Sequence, residues 1–384
     1  MSGTVVVLGP STYVGAALTS RLLESGKRVI GVSGRPAIAR IFLPPESDQL
    51  KIASPENARE LIGDPGMCSI VNLAEIADTP SSDLLGRDRR TRTRWRRRLA
   101  DSIREIAPNG PRQLIQISSS GVFGQPPGSA PVPEEVRLQP IGDPEAESQL
   151  LMERTVARHM RSVTGELAIV RLGCVIGPGA PLWVAEIAQR IMEMKPVAYL
   201  EEEGFMNATH VENAADYLAA LVDLPNGALR EFGAYHHLAE YSSHRWSELY
   251  DVIAAQIGRP WNAAARGVPA GSVPGNPVKR LLKRYARSKP GGYLRMGVAL
   301  LPESRPVDRV LSRATQAPPP DPTVATSDPD DSDLLDALSA PYEFSSHTID
   351  GWSPALDFSR ACAGIAEWLR VSGYSLRPPS TSSS

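Results

Sequence analysis

The sequence predicts an α/β protein built on a doubly wound parallel sheet, with a smaller C-terminal lobe. Short apolar runs rich in β-branched residues alternate with helical patterns through the first two-thirds of the chain. This alternation is typical of a parallel sheet that carries helices on both faces. The first strand also enters the first helix through a glycine-containing turn, in the stretch VVVLGPSTYVGAAL.

The individual elements follow from these patterns in chain order. Strands are predicted at residues 5–8, 29–33, 69–74, 113–118 and 167–172. Helices are predicted at residues 15–25, 92–106, 145–161, 183–194, 211–222, 246–257 and 358–371. Residues 1–172 therefore form the first domain, and residues 173–373 form a mixed region that completes the sheet and builds the lobe. An acidic loop at 316–340 and a tail at 375–384 are predicted to be disordered.

Composition restricts the class of protein. The net charge of −2 gives no bulk attraction to nucleic acid or to a membrane surface. The three cysteines, Cys68, Cys174 and Cys362, lie too far apart for a CxxC site and favour a reducing compartment. No run of eighteen apolar residues and no signal-peptide pattern occur, so we expect a cytoplasmic protein without a membrane span.

The first turn has two glycines and one departure from the usual dinucleotide pattern. Gly9 would allow the tight turn and Gly15 the close packing of helix on strand, while the helix N-terminus would face a diphosphate. Thr12 stands where the pattern has its middle glycine, so a side chain narrows the approach of the backbone to the phosphates. Its hydroxyl could donate to a phosphate oxygen. The alternative is a turn whose glycines serve packing alone.

Several segments together resemble one known family. GPSTYVGAAL is similar to the glycine-rich opening of the short-chain dehydrogenase/reductases, in their extended, NAD-dependent epimerase/dehydratase branch. VNLA, ISSSGVFG, VRLGCVIGPG and HVENAADYLAAL follow in the family's order, and DGWSPALDF fits its closing segment. The resemblance implies a Rossmann fold with a C-terminal substrate-binding lobe. It also implies cofactor contacts at Gly9, Ser11, Thr12, Tyr13, Val14, Gly15, Ser33, Arg35, Leu73, Ala74, Ser118, Cys174 and Val175.

The catalytic pair that this resemblance implies does not occur in the sequence. Family enzymes carry Tyr-x-x-x-Lys on one helical face, where the lysine lowers the pKa of the phenol. Aligned on the AESQLLME helix, these positions hold Glu145 and Gln149, and no tyrosine occurs between Tyr13 and Tyr199. A subgroup of epimerase-like proteins that also lacks the pair has a similar helix.

Two residues remain as candidate catalytic groups. Ser119, four residues before Phe123, takes the place of the family's catalytic serine or threonine. Glu145 could act as an acid or base if burial raised its pKa. Alternatively, Glu145 has no catalytic role and is an ordinary acidic residue in the first turn of a helix, where the helix dipole favours a negative charge.

The end of the second predicted strand bears on the choice of cofactor. An acidic residue there would accept a hydrogen bond from the ribose 2′-hydroxyl of NAD. An arginine with small polar neighbours would instead accommodate the 2′-phosphate of NADP. Ser33 and Arg35 follow this strand without a carboxylate, which leans toward NADP over NAD. Arg35 could equally be a solvated loop residue.

Two further clusters have less specific patterns. The helix at Arg87–Arg98 is dense in arginine and could form a homodimer or protein-partner surface; without an aromatic platform, nucleic-acid binding is disfavoured. His236, His237 and His244 lack HxxxH spacing, so no metal site is predicted.

The leading expectation is an NAD(P)-binding epimerase/dehydratase-like protein, acting on a sugar-nucleotide or another hydroxyl or carbonyl substrate. The alternative is a non-catalytic NADP(H)-binding protein with a regulatory or assembly role.

Overall fold

A seven-stranded, all-parallel sheet forms the centre of the molecule. The computed structural model describes residues 3–73, 101–123, 144–194, 197, 204–261 and 343–374. The strand order is β3-β2-β1-β4-β5-β6-β9, with β7 and β8 paired separately in a small parallel sheet. The strands are β1 Thr4–Leu8, β2 Arg28–Val32, β3 Leu50–Ala53, β4 Ser69–Asn72, β5 Gln113–Ser119, β6 Glu166–Leu172, β7 Cys174–Ile176, β8 Ala208–His210 and β9 Tyr235–Leu238.

The strand order reverses between β1 and β4. The chain moves outward from β1 through β2 to β3, and then returns to place β4 on the other side of β1. In doubly wound sheets, ligands bind beyond the carboxyl ends of the strands at such a switch point. The predicted α/β fold class is confirmed, and it directs attention to the ends of β1, β2, β4 and β5.

Helices cover both faces of the sheet because side chains alternate along each strand. Val5 and Val7 of β1 pack with one helical layer, and Val6 and Leu8 pack with the other. The helices are α1 Tyr13–Glu24, α2 Pro36–Phe42, α3 Pro55–Ile62, α4 Pro144–Met160, α5 Glu186–Met192, α6 Val211–Asp223, α7 Ala228–Phe232, α8 Trp246–Ile257 and α9 Phe358–Val371. The first layer contains α1 and α6, and the second contains α3 and α4.

A further apolar cluster, separate from the two that cover the faces of the sheet, lies beside the sheet. It joins α5, α8 and α9 around Trp246, Tyr250 and Ile365, and it also includes residues of β7 and β8. The chain from residue 343 returns to the sheet, where His347 forms an antiparallel bridge with His237. The C-terminal helix α9 is therefore linked both to this apolar cluster and, through the segment before it, to the sheet.

The predicted elements that the structure describes agree with the observed ones to within a few residues, apart from the helix predicted at 183–194, and of the helix predicted at 92–106 only residues 101–106 are described, which are helical. At the start of the helix predicted at 183–194, a π-helical turn covers Pro181–Ala185, and α5 follows only from Glu186. The pattern missed β3, and it did not anticipate that β9 extends the main sheet. Ala74, the Arg87–Arg98 segment, the 316–340 loop and the 375–384 tail lie outside the described residues. Among the helices that are described, none is long and apolar enough to cross a membrane.

Candidate functional site

The glycine turn brings the end of β1 into close contact with the start of α1. Gly9 has a φ of +80°, and its N–H donates to the Val32 carbonyl across the strand ends. A Cβ atom on Gly15 would lie 2.2 Å from the Gly9 carbonyl oxygen and 2.6 Å from Thr12 Oγ1. Only glycine fits at position 15, so the helix begins directly against the strand end.

Thr12 caps helix α1. Its Oγ1 accepts a hydrogen bond of 2.7 Å from the Gly15 N–H, and its side chain is buried. The N–H groups of Tyr13 and Val14, in the first turn, have no carbonyl one turn earlier within the helix to bond to. A helix N-terminus of this kind favours an anion, because N–H dipoles point outward along its axis. The Thr12 hydroxyl, which accepts from Gly15, can donate its own hydrogen to such an anion.

The Tyr13 side chain extends from the start of α1 to the turn that follows β7. Its hydroxyl donates to the Pro178 carbonyl at 2.9 Å, and burial, with a smaller effect of Glu212, raises its phenol pKa. A Cβ atom on Gly177 would lie 2.8 Å from this hydroxyl and 3.0 Å from His210 Nε2. Tyr13 therefore joins the first helix to the glycine-proline turn after β7.

The end of β2 holds the two residues predicted to select the cofactor. Ser33 is buried; its N–H donates to the Ala53 carbonyl and its Oγ accepts from the Arg35 N–H at 3.1 Å. Arg35 precedes α2 and its side chain is exposed. The serine thus fixes the backbone of the turn, while the guanidinium extends from it into solvent.

The ends of β4 and β5 carry buried polar groups. Leu73 donates its N–H to the Leu8 carbonyl, which extends the β1–β4 pairing, and Asn72 donates to Gln116 Oε1 at 2.7 Å. Ser118 is buried, and its Oγ has no hydrogen-bond partner among the described residues. Ser119 is half-buried, and its Oγ accepts from the Gly121 N–H at 3.1 Å.

Helix α4 carries the positions where the family's Tyr and Lys are expected. Glu145 lies in the first turn of α4, but its side chain lies outside the described residues. Gln149 is 3% exposed, and its Oε1 has no hydrogen-bond partner in the described part of the chain. One turn further, Glu153 forms a buried bidentate ion pair with Arg171, with distances of 3.1 and 2.9 Å. This ion pair anchors α4 to β6 beside the site.

The Arg171 guanidinium lies between aromatic rings. Its central carbon is 5.1 Å from the Phe123 ring centroid and 4.6 Å from that of Tyr235. His237 meets the Phe123 ring edge-on, and burial lowers its pKa to about 4. The sequence predicted none of this arrangement, although Phe123, Glu153 and Arg171 all fall within the segments that resemble the family.

The last two residues that were predicted to contact the cofactor lie in the small sheet of β7 and β8. Cys174 and Val175 form β7 and pair with Ala208 and Thr209 of β8. Burial raises the pKa of the Cys174 thiol to about 12, so it is a poor nucleophile at neutral pH. Within the described ranges, no group of three or more His, Cys, Asp or Glu side chains could hold a metal ion.

This geometry agrees with what comparison with known proteins shows. The model of the NAD dependent epimerase/dehydratase family matches residues 5–229, more than half of the chain. The chain belongs to this family. The matched range covers the glycine turn, the ends of β4 and β5, and helices α4 and α6.

Individual proteins are similar to this chain in sequence or in fold. A 2'-dehydrokanamycin reductase of Streptomyces kanamyceticus is 30% identical over 172 residues, which is 42% of this chain and 45% of that relative. A UDP-glucuronic acid 4-epimerase variant of Bacillus cereus, solved with UDP-4-deoxy-4-fluoro-glucuronic acid and NAD, has a TM-score of 0.60 at 14% identity, covering 96% of this chain and 99% of that one. WbmG of Bordetella bronchiseptica, solved with NAD, has a TM-score of 0.59 at 14% identity, covering 98% of each chain. At these identities the solved structures establish the fold.

Proposed function

We propose that the chain binds a nicotinamide dinucleotide with its diphosphate over the first turn of α1. The observation that carries this proposal is the approach of α1 to the end of β1, where a side chain at Gly15 would lie 2.2 Å from a backbone oxygen. Together with the first-turn N–H groups of Tyr13 and Val14, this makes a site suited to an anion at the switch point of the sheet. Thr12 fits such a group, since its hydroxyl hydrogen can donate to a phosphate oxygen.

NAD(H) is the proposed cofactor, with NADP(H) as the alternative form. NAD is the cofactor in the family's description and in the solved relatives named above. The exposed Arg35 side chain beyond β2 could donate hydrogen bonds to the additional phosphate of NADP. If it does, Arg35→Ala weakens NADPH binding much more than NADH binding.

The proposed substrate carries a hydroxyl or carbonyl group, as a sugar or sugar nucleotide does. When bound, the nicotinamide supplies the capacity for hydride transfer. Ser119 would hold the reacting oxygen, because its Oγ accepts from the Gly121 N–H and keeps its own hydrogen to donate. Glu145, in the first turn of α4, is the proposed group that takes or returns the proton.

A second candidate is a protein that binds the cofactor without turning over a substrate. The observation that favours it is the buried Gln149, whose amide cannot lower the pKa of a neighbouring group as a lysine ammonium does. In this function the ligand would stabilise the fold or report the redox state of the cofactor pool.

One experiment separates these functions. Purified full-length chain is titrated with NADH and NADPH by fluorescence, and the nicotinamide absorbance is then followed with sugar-nucleotide and ketone substrates. Saturable binding with turnover that Glu145→Gln abolishes supports the first function. Binding without turnover on any substrate supports the second, and the absence of binding to either cofactor refutes both.

A further inference from the structure

The turn that follows β5 connects Ser119 to a buried aromatic ring. β5 ends at Ser119, and a short 3₁₀ turn, Ser120–Phe123, follows directly. The Ser119 hydroxyl accepts its hydrogen bond from the Gly121 N–H, inside this turn. Gly121 itself is exposed, whereas Phe123 at the end of the turn is buried. The Phe123 ring is therefore the point at which the protein core holds the turn in place.

Three parts of the chain contact the Phe123 ring. The Arg171 guanidinium carbon, from β6, lies 5.1 Å from its centroid, and the His237 ring of β9 meets it edge-on at 5.4 Å. The third contact is Phe344, whose ring centroid lies 5.1 Å from that of Phe123 and 4.7 Å from that of His237. Aromatic rings attract one another at centroid separations of about 4.5–7 Å. Phe344 is thus a member of one packed group with Phe123, although it comes from the C-terminal part of the chain.

Phe344 belongs to residues 343–349, which bind along β9, the last strand of the main sheet. We call these residues the return segment. The Phe344 N–H donates to Asn207 Oδ1 at 2.8 Å, and His347 exchanges two backbone hydrogen bonds with His237, of 2.8 and 3.1 Å. These bonds fix the backbone of the return segment, so the Phe344 ring has a defined position.

We propose that Phe344 is a positioning residue for Ser119. This inference rests on the proposed function, in which the Ser119 hydroxyl holds the reacting oxygen of the substrate. Phe344 packs against Phe123, and Phe123 ends the turn whose Gly121 N–H orients that hydroxyl. The return segment thereby contributes to a site whose candidate catalytic groups lie much earlier in the chain.

A general contribution of Phe344 to stability is the alternative. In that case the ring adds buried apolar area and stabilises the whole fold, with no particular effect on the turn. The two roles differ in the region that responds when the ring is removed. A positioning role predicts that the turn opens locally, because a cavity forms beside Phe123, while the rest of the sheet stays protected.

Hydrogen exchange of the full-length chain, followed by mass spectrometry, separates the two roles. Phe344→Ala is compared with Ile349→Ala, because Ile349 is also a buried residue of the return segment but packs in the apolar layer with α6. A peptide that contains residues 119–123 reports on the turn, and one that contains residues 5–8 of β1 reports on global unfolding.

We expect Phe344→Ala to speed exchange in the turn by about tenfold or more, without a change in β1. Ile349→Ala should leave the turn as protected as in the wild type. If Phe344→Ala does not fold, Phe344→Leu, which keeps part of the apolar volume, is compared in the same way and should speed exchange in the turn by a smaller factor. Unchanged exchange in the turn, or equal acceleration by Ile349→Ala, would overturn the proposal.

Turnover of a substrate tests the link from Phe344 to the Ser119 hydroxyl. Phe344→Ala should lower kcat by about tenfold in the wild-type background and have no further effect in a Ser119→Ala chain, because the group that it positions is then absent. The KM for NADH should stay the same, since the first turn of α1 is not altered. Independent, multiplicative effects of the two substitutions on kcat would mean that Phe344 acts by another route, and the proposal would be wrong.

Failure of this inference and failure of the proposed function give different results. A wild-type chain that binds neither NADH nor NADPH refutes the proposed function. The exchange experiment needs no ligand, so it decides separately whether Phe344 holds the turn.

Discussion

Replacing Gly15 with alanine is the most informative single substitution in the glycine turn. Position 15 is in the first turn of α1, where helix propensity alone predicts that alanine stabilises by about 1 kcal/mol. The structure predicts the opposite sign. The added Cβ would lie 2.2 Å from the Gly9 carbonyl oxygen, so helix and strand must separate by about 1.2 Å to reach an ordinary contact of 3.4 Å.

The size of the effect follows from two costs and one gain. Overpacking of this kind costs about 1–3 kcal/mol, and disturbing the Thr12 cap costs about 1 kcal/mol more. After the gain in propensity, we expect Gly15→Ala to lower the free energy of unfolding by about 1–3 kcal/mol. It should also weaken NADH binding, because the first turn moves away from β1.

Urea denaturation and an NADH titration of the same preparation measure both effects. Gly364→Ala is the matched control: it is also a helical glycine, but its Cβ would meet nothing closer than Pro178 Cγ at 3.8 Å. We expect this control to be as stable as the wild type or up to about 1 kcal/mol more stable. A Gly15→Ala protein that matches this control in stability and binds NADH normally would refute the close approach.

Three further predictions concern the framework around the site. Glu153→Gln leaves the Arg171 charge buried without its counter-charge, so urea denaturation should show a loss of about 3–5 kcal/mol; a loss below about 1 kcal/mol would contradict the buried ion pair. Arg112→Met removes donors from the carbonyls at the end of α6 and from the Ser69 hydroxyl, and thermal unfolding should show a loss of about 1–3 kcal/mol, whereas an unchanged melting temperature would contradict those bonds. Burial lowers the pKa of His210 to about 4 from an ordinary 6.5, so its neutral form stabilises the fold above pH 6.5 and this stability is lost as the pH falls toward 4. His210→Asn, which can still cap α6, should flatten that part of the plot of unfolding free energy against pH. An unaltered plot would exclude His210 as the source of this pH dependence.

The arrangement of strands and helices could be predicted because apolar runs and helical spacing are local signals. The failures have physical reasons. β3 is only four residues long and contains Lys51, so it lacks an apolar run. β9 reads YHHL, and its two histidines are buried through bonds to Tyr217 and to the Ser345 carbonyl, which no local pattern reveals.

The candidate site was predictable in outline but not in its interactions. Glycine spacing indicated the turn, and the sequence alone predicted that Gln149 stands at the position of the family's lysine. The buried pair of Glu153 with Arg171 joins residues 18 positions apart, and the alignment of Ser118, Arg171 and His237 requires the register of three strands. Such features depend on tertiary structure, because only folding places these side chains on one face.

The central claim is that a nicotinamide dinucleotide binds with its diphosphate over the first turn of α1. A crystal structure of the full-length chain grown with NAD⁺ tests it most directly. We predict diphosphate density within hydrogen-bonding distance of the N–H groups of Tyr13 and Val14. Dinucleotide density elsewhere on the protein, or an empty first turn at saturating NAD⁺, would contradict the claim.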